Sequence, residues 1–429
     1  MRRNSYPSAM ELSSVGLLTF DVYAENEGKP APGAKISIFT AEQEVEPRQM
    51  EELTTDESGR TAPIELPAPP IEYSYDPESQ RPYSTYTATI SGQGFETTEI
   101  KNIQIFPNTE AIQPVNLNLS EAVFAGTRLE ELSRVLEIDV PEHTLWGQYP
   151  AKIPEPDTKE LPSDAGFKVL DSPVIPQTIV VHDGSPNNDA AKNYYVPFKD
   201  YIKNVASSEI YSTWPDATIR ANVLAILSFT LNRVFTEWYR AKGKNFTITS
   251  STAYDHAFFY GRTIYATISR VVDEMFTNYV TRPGIRQPLF TQYCDGRQVQ
   301  CPNWMTQWGS KDLGDQGYTA INILRYFYGN DVYLAVANRV SGIPSSFPGY
   351  DIARGASGAN VRTIQTQLNG IAKNYPAIPK VAVDGKFGPA TAASVAKFQL
   401  VFNLPPNGIV DYPTWYRLSD IYVAVSKMS

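Results

Sequence analysis

A carboxylate stands where a core residue is expected at the end of the run Val196-Pro-Phe-Lys-Asp-Tyr-Ile-Lys-Asn-Val-Ala-Ser-Ser-Glu209-Ile-Tyr-Ser-Thr-Trp-Pro215. Pro197 can open a helix, because its missing N–H falls in the first turn. Phe198, Ile202, Val205, Ala206 and Glu209 then share one face at helical spacing. Trp214-Pro215 ends the helix soon afterwards, so Glu209 lies near a C-terminus, where the macrodipole disfavours negative charge. Burial and dipole both favour the protonated form. A carboxylic acid that keeps its proton near neutral pH is what cleavage of a glycosidic bond needs as general acid. Periodicity alone also allows a Glu that reaches solvent past a short stripe.

Other reactive residue types are few. Cys294 and Cys301 are seven positions apart in a Gly/Pro-containing loop; they either close a small disulfide loop or remain inert thiols. A nucleophilic Cys needs a base, and none of His143, His182 and His256 is adjacent in sequence. His182, in the strand-like Thr178-Ile-Val-Val-His182, reads as structural.

The Glu209 run resembles the SpoIID family of peptidoglycan lytic transglycosylases. The shared pattern is Val196-Pro197, Tyr201, Ser208-Glu209, Trp214-Pro215 and the Ala-rich stretch Ala217 to Ala225. A second block, Met305-Thr-Gln307-Trp308-Gly309, Gln316-Gly317-Tyr318 and Ile323-Leu-Arg-Tyr326-Phe-Tyr328-Gly329, resembles that family's C-terminal signature. The resemblance implies that Glu209 is the catalytic acid. It gives Gln307 and Trp308 the task of holding sugar, by hydrogen bond and by stacking, and makes Tyr201, Ser208 and Tyr293 candidates for the same wall. Asp312 and Asp315 are further candidates to line the cleft. Cys301-Pro302-Asn303-Trp304 stands where the family has Gly-His-Gly; no His accompanies the two cysteines, and no metal or other cofactor is expected.

Residues Gly355 to Tyr422 resemble the three-helix peptidoglycan-binding module. The matching positions include Gly358, Val361, Ile364, Gln367-Leu368-Asn369, Asp384-Gly385-Lys-Phe387-Gly388-Pro389-Ala-Thr391, Phe398-Gln399, Gly408-Ile409-Val410-Asp411 and Thr414-Trp415. Val361, Ile364, Leu368 and Ile371 form a helical stripe, and Gly385 and Gly388 supply turn geometry.

These elements have to be positioned by a multidomain chain of 429 residues. Residues 1–120 read as an N-terminal β-sandwich. Strand candidates are Val15–Tyr23, Ala34–Phe39, Ala62–Leu66, Tyr83–Ile90, Ile103–Ile105 and Val115–Leu119, with turns at Glu27–Gly33 and Thr54–Gly59. Their order resembles the transthyretin-like, carboxypeptidase-regulatory module. Residues 121–172 read as a helix from Ala125 to Val135 and an exposed, Pro-rich linker. An α+β SpoIID-like core is expected over 173–345. Its helices read as Asp216 to Lys242, with Asp216 as cap, Gly261 to Val280 and Thr319 to Tyr328. The binding module occupies 350–429.

In that order the parts are similar to the spore cortex-lytic enzymes of the SleC type. The resemblance implies a zymogen, activated by a subtilisin-like germination protease that cuts between about Glu160 and Pro176. It also implies spore cortex peptidoglycan as substrate and the cortex or coat region as location. The start Met1-Arg-Arg-Asn-Ser-Tyr-Pro lacks the apolar stretch of a standard secretory signal. A net charge of −9 offers no basic stripe for nucleic acid, and no apolar run is long enough for a membrane span. Two rival functions remain open on sequence: an N-acetylmuramoyl-L-alanine amidase, which would call for zinc ligands, and a non-catalytic, peptidoglycan-binding amidase enhancer.

Overall fold

The computed structural model describes residues 13–24, 28–40, 48–120, 135–143, 145, 150–159, 172–299, 301–341 and 347–426. The helix expected over 125–135 lies outside them except for Val135, as does residues 160–171 of the expected activation region.

Alternating patterning produces the N-terminal layer pair. Strands β1 (Ser14–Ala24), β2 (Lys35–Thr40), β3 (Gln49–Thr54), β4 (Ile64–Ala68), β5 (Ser84–Ser91), β6 (Thr97–Ile105), β7 (Glu110–Leu117) and β8 (Val135–Asp139) form two sheets. One runs β7-β1-β4 and the other β3-β2-β5-β6-β8. Leu18, Phe20 and Val22 of the first face Ile36, Ile38, Ala88, Ile90 and Ile100 of the second within one buried core, each full burial contributing about 1.5–3 kcal/mol for the large side chains. Thr54–Gly59 turns as expected: Asp56 Oδ1 accepts from the N–H groups of Ser58 (2.8 Å) and Arg60 (3.0 Å), and Gly59 takes φ +74°. Within the stretch read as linker, β8 instead pairs in parallel with β6, Ile138 opposite Ile100.

The core carries β9 (Val174–Ile175), β10 (Thr178–His182), β11 (Asn193–Pro197), α1 (Phe198–Glu209), α2 (Asp216–Phe235), β12 (Ile248–Thr249), β13 (Ile264–Tyr265), α3 (Ala266–Met275), β14 (Asn278–Thr281), β15 (Tyr293–Cys294), β16 (Met305–Thr306), α4 (Gln307–Asp315), α5 (Ala320–Tyr328), β17 (Tyr333–Val336) and β18 (Arg339–Val340). Helix α1 is buried on almost every side, Asp200 being its exception. The predicted stripe is therefore only part of its contact surface: Lys199 and Lys203 are also covered, ion-paired to Asp420 and Asp273 at 2.7 and 2.8 Å.

Two helix boundaries differ from the sequence reading. Helix α2 stops at Phe235 rather than Lys242. Thr236 Oγ1 donates back to the Asn232 carbonyl at 2.7 Å, and Glu237 adopts φ +48°, a left-handed residue that ends the helix. Asp216 is its first residue, after Pro215, and makes ion pairs with Arg220 and Arg270 in place of a cap. The helix expected from Gly261 begins only at Ala266, because Ile264 and Tyr265 pair antiparallel with Ile112 and Ala111 of β7. Strand β13 thus extends an N-terminal sheet into the core. Gly261, at φ +80°, approaches Ile138 so closely that a Cβ there would stand 2.6 Å from it.

In the C-terminal module, α6 (Ala359–Ile371), α7 (Pro389–Val401) and α8 (Tyr412–Ser426) enclose Ile364, Leu368, Val395, Phe398 and Trp415. Two buried glutamines fasten its turns in the same way. Gln365 Oε1 accepts from Gly385 N–H while its Nε2 donates to Asp384, the Lys386 carbonyl and Thr391. Gln399 repeats this with Gly408, Asn407, the Ile409 carbonyl and Thr414.

Candidate active site

Glu209 is the last residue of α1 and is 9 % exposed. Its Oε1 accepts from the Ala257 N–H at 2.8 Å and its Oε2 from Gln307 Nε2 at 2.9 Å. The same Gln307 amide donates to the Glu209 carbonyl at 2.7 Å, satisfying an orphan acceptor at the helix end. The carboxyl group lines a pocket with Ser208, Gln307, Tyr293, Cys294, Asp295, Val299, Thr252, Ala257, Leu145, Pro150 and Lys152.

Each donor is held from behind. Ala257 follows Asp255, which is fully buried and accepts from Arg233 Nε (2.7 Å), Tyr239 Oη (2.7 Å), Thr249 N (2.9 Å) and Thr249 Oγ1 (2.7 Å). Burial works against the charge on Arg233; the carboxylates of Asp255 and Glu155 outweigh it and keep the pKa above the ordinary arginine value. Glu155 grips Arg233 in bidentate fashion at 2.9 and 2.8 Å. The stretch 150–159 is further pinned by Gln292, which donates to the Ile153 carbonyl and accepts from Glu155 N–H, both at 2.9 Å. Lys152 donates to the Asp255 carbonyl at 2.8 Å and sits 4.5 Å from the Tyr293 ring centre. Burial lowers the pKa of its amine, and the Glu209 and Asp255 charges offset this only in part.

Of the residues singled out in the sequence, the structure brings Glu209, Ser208, Gln307 and Tyr293 to one pocket. Ser208 Oγ donates to the Asn204 carbonyl at 2.9 Å. The Tyr293 phenol is pushed well above its ordinary pKa by burial and then by the Glu209 charge. Trp308 cannot stack on a sugar as placed: it is 1 % exposed, packed edge-on against Trp214 and Tyr211. Tyr201 is 0 % exposed; its hydroxyl meets His256 Nδ1 at 3.0 Å behind the pocket. Asp312 and Asp315 lie away from the pocket lining, Asp315 paired with Lys311 at 2.6 Å. Cys294 and Cys301 are joined by a disulfide. His182 is stacked on Phe246 and bonded to Asn193. In the module, Asp384 and Gly385 belong to the Gln365 clasp, Phe387 is core, and Gly388 precedes α7.

Sequence reasoning missed Lys152, Ala257 and Asp295. No spacing signal marks the first two, which arrive from distant stretches. Asp295, next to a candidate disulfide cysteine, was the findable one. Among the described residues no group of three or more His, Cys, Asp and Glu is placed to hold a metal ion, and no helix is long and apolar enough to cross a membrane.

Residues 357–418 match the Putative peptidoglycan binding domain family. The C-terminal module is thus a peptidoglycan-binding domain by kinship. A zinc D-Ala-D-Ala carboxypeptidase of Streptomyces albus G is 38% identical over 73 residues, 16% of this chain and 27% of that protein. An uncharacterized protein of Kitasatospora aureofaciens is 44% identical over 63 residues, 14% of this chain and 49% of its own length. The chain therefore spans about a quarter and about half of these relatives' lengths. Among solved structures, 5-hydroxyisourate hydrolase of Klebsiella pneumoniae aligns at 16% identity and TM-score 0.16, covering 24% of this chain and 86% of that one. Transthyretin of Sparus aurata aligns at 14% identity and TM-score 0.16, covering 24% and 89%.

Proposed function

We propose that this chain is the zymogen of a peptidoglycan lytic transglycosylase that degrades spore cortex, with Glu209 as acid and then base. The observation that carries the reading is the Glu209 carboxyl group, held at a buried helix end by Ala257 N–H and Gln307 and open to a pocket. As acid, Glu209 protonates the bridging glycosidic oxygen; as base, it takes the proton of the muramic C6 hydroxyl, which closes a 1,6-anhydro ring without water. One carboxyl group serves both steps. The peptidoglycan-binding match over 357–418 supports the substrate class, since a module tethered to the core raises local substrate concentration.

Leu145 lines the Glu209 pocket from the segment ahead of Pro150, which supports control by a subtilisin-like protease. The grip of Glu155 on Arg233 favours a cut before Pro150 over one between Glu160 and Pro176. Releasing Glu155 would remove one of the two carboxylates from a guanidinium that is 0% exposed. N-terminal sequencing of the processed protein tests this placement, and a start after Glu155 refutes it.

The deciding experiment is mass spectrometry of soluble fragments from purified cortex after incubation with the subtilisin-treated chain. Ends carrying 1,6-anhydromuramic acid, lost in Glu209→Gln, establish the reading. Amide cleavage products establish an amidase instead, and absence of release with intact binding establishes the enhancer role.

A further inference from the structure

We propose that Asp295 is the second carboxylate of this site and lies against the sugar carbon that becomes electron-poor when Glu209 gives up its proton. Asp295 lines the Glu209 pocket and is 5 % exposed. One of its oxygens is occupied: Oδ1 accepts from the N–H groups of Arg297 (3.0 Å) and Val299 (2.9 Å). Both lie inside the loop that the Cys294–Cys301 disulfide closes. The other oxygen, Oδ2, is buried without a donor among the described residues. A buried carboxylate oxygen with no partner costs free energy and marks a place where something else is meant to bind. Asp255, the other deeply buried acid nearby, has no such spare capacity, because four donors already converge on it.

The chemistry gives that free oxygen a task. This inference rests on the glycosidic reading above. Glu209 transfers its proton to the bridging oxygen; the C1–O bond breaks and its electron pair leaves with that oxygen. Positive charge then spreads over C1 and the ring oxygen, as in glycosidic cleavage generally. A preorganised negative charge beside it lowers the barrier without reorganising in the step. The C6 oxygen next bonds to C1, and its proton returns to the Glu209 carboxylate. No water, oxidant or reductant enters. The backbone hydrogen bonds on Oδ1 hold the Asp295 carboxylate in place at the pocket wall.

The test uses the full chain, treated with subtilisin, and compares wild type, Asp295→Asn, Asp295→Ala and Glu209→Gln. Asn keeps an acceptor for the Arg297 and Val299 N–H groups, so the loop is expected to fold and its disulfide to form. Asp295→Asn is expected to lose about 100–1000-fold in kcat with KM changed by less than threefold, and formate is expected to restore part of the rate of Asp295→Ala. A cationic iminosugar is expected to bind Asp295→Asn at least tenfold more weakly, with no change for a neutral analogue. Activity within threefold of wild type, or a loss wholly in KM, overturns the proposal. A glycosyl azide formed by Asp295→Ala in azide supports Asp295 as the second carboxylate. Full activity of Glu209→Gln overturns the reading of the pocket as a whole.

Discussion

The binding module and the Glu209 pocket use buried polar groups in opposite ways. In the module, Gln365 and Gln399 spend every hydrogen-bonding position on the turns at Asp384-Gly385 and Asn407-Gly408. The two glutamine side chains are buried and bond only within the module. In the pocket, donors from α4 and from the 255–257 loop converge on one carboxylate that still faces a cavity. A saturated network builds a fold, whereas a network with a remaining acceptor builds a site. The comparison also explains why signature residues of the module, such as Asp384 and Gly385, are structural although they are the most recognisable in the sequence.

The largest effect that would sharpen this contrast is on activity. Glu209→Gln keeps the shape, the Gln307 bond to the main-chain carbonyl and one of the two side-chain hydrogen bonds, and is expected to reduce anhydromuropeptide release by at least about 1000-fold, with the melting temperature lowered only by the loss of that one bond; calorimetry on the same sample checks the second half. Next comes the buried anchor behind the pocket. Glu155→Ala leaves Arg233 short of a partner and is expected to cost about 3–5 kcal/mol of stability, read as a shift of the urea midpoint. Gln399→Leu is the counterpart in the module: with Gly408 N–H deprived of its acceptor, about 1–3 kcal/mol is expected to be lost. Binding to peptidoglycan should weaken while kcat holds. If kcat fell instead, the separation of the two regions would be broken. Gln307→Leu is expected to lower kcat by about 10–100-fold, since Glu209 keeps the Ala257 donor.

The smallest effect is on pH dependence. Burial holds His143 and His256 well below the ordinary imidazole pKa, helped by the charge of Arg262 at the first and by Lys152 and Arg233 at the second. Above about pH 6.5 both are neutral in either state, and they cost nothing. As pH falls below that value the unfolded chain takes up protons that the folded chain refuses. Stability should therefore drop by up to about 1.4 kcal/mol per pH unit for each histidine. Thermal melts between pH 7.5 and 5.5 check this, and His143→Leu should remove part of the slope.

Much of this contrast was legible in the sequence, for reasons that differ by region. The module's helices and turns are local, so stripe and turn residues gave them away. The Glu209 helix was legible because Pro197 and Trp214-Pro215 bracket it. The boundary at Ala266 was hidden, because Ile264 and Tyr265 are claimed by a strand some 150 positions earlier, a tertiary override of local propensity. Trp308 looked like a sugar platform by type, yet Trp214 and Tyr211 enclose it. Lys152 stood in a proline-rich stretch read as exposed linker; the pull of Arg233 on Glu155, 78 positions apart, draws it inward.

The pairing of β13 with β7 also sets a problem of timing. Leu117 ends the last strand of the β7-β1-β4 sheet, and Ile264 emerges from the ribosome 147 residues later (264 − 117). At ordinary translation speeds of about 5–20 residues per second that is an interval of roughly 7–30 s. Throughout it the rim of a finished sheet waits without its last neighbour, open to the same rim on a chain emerging from the next ribosome on the message. Slow synthesis of the middle third would lengthen that exposure. Yield from a recombinant host should therefore depend on elongation rate over residues 118–264 more than over the module.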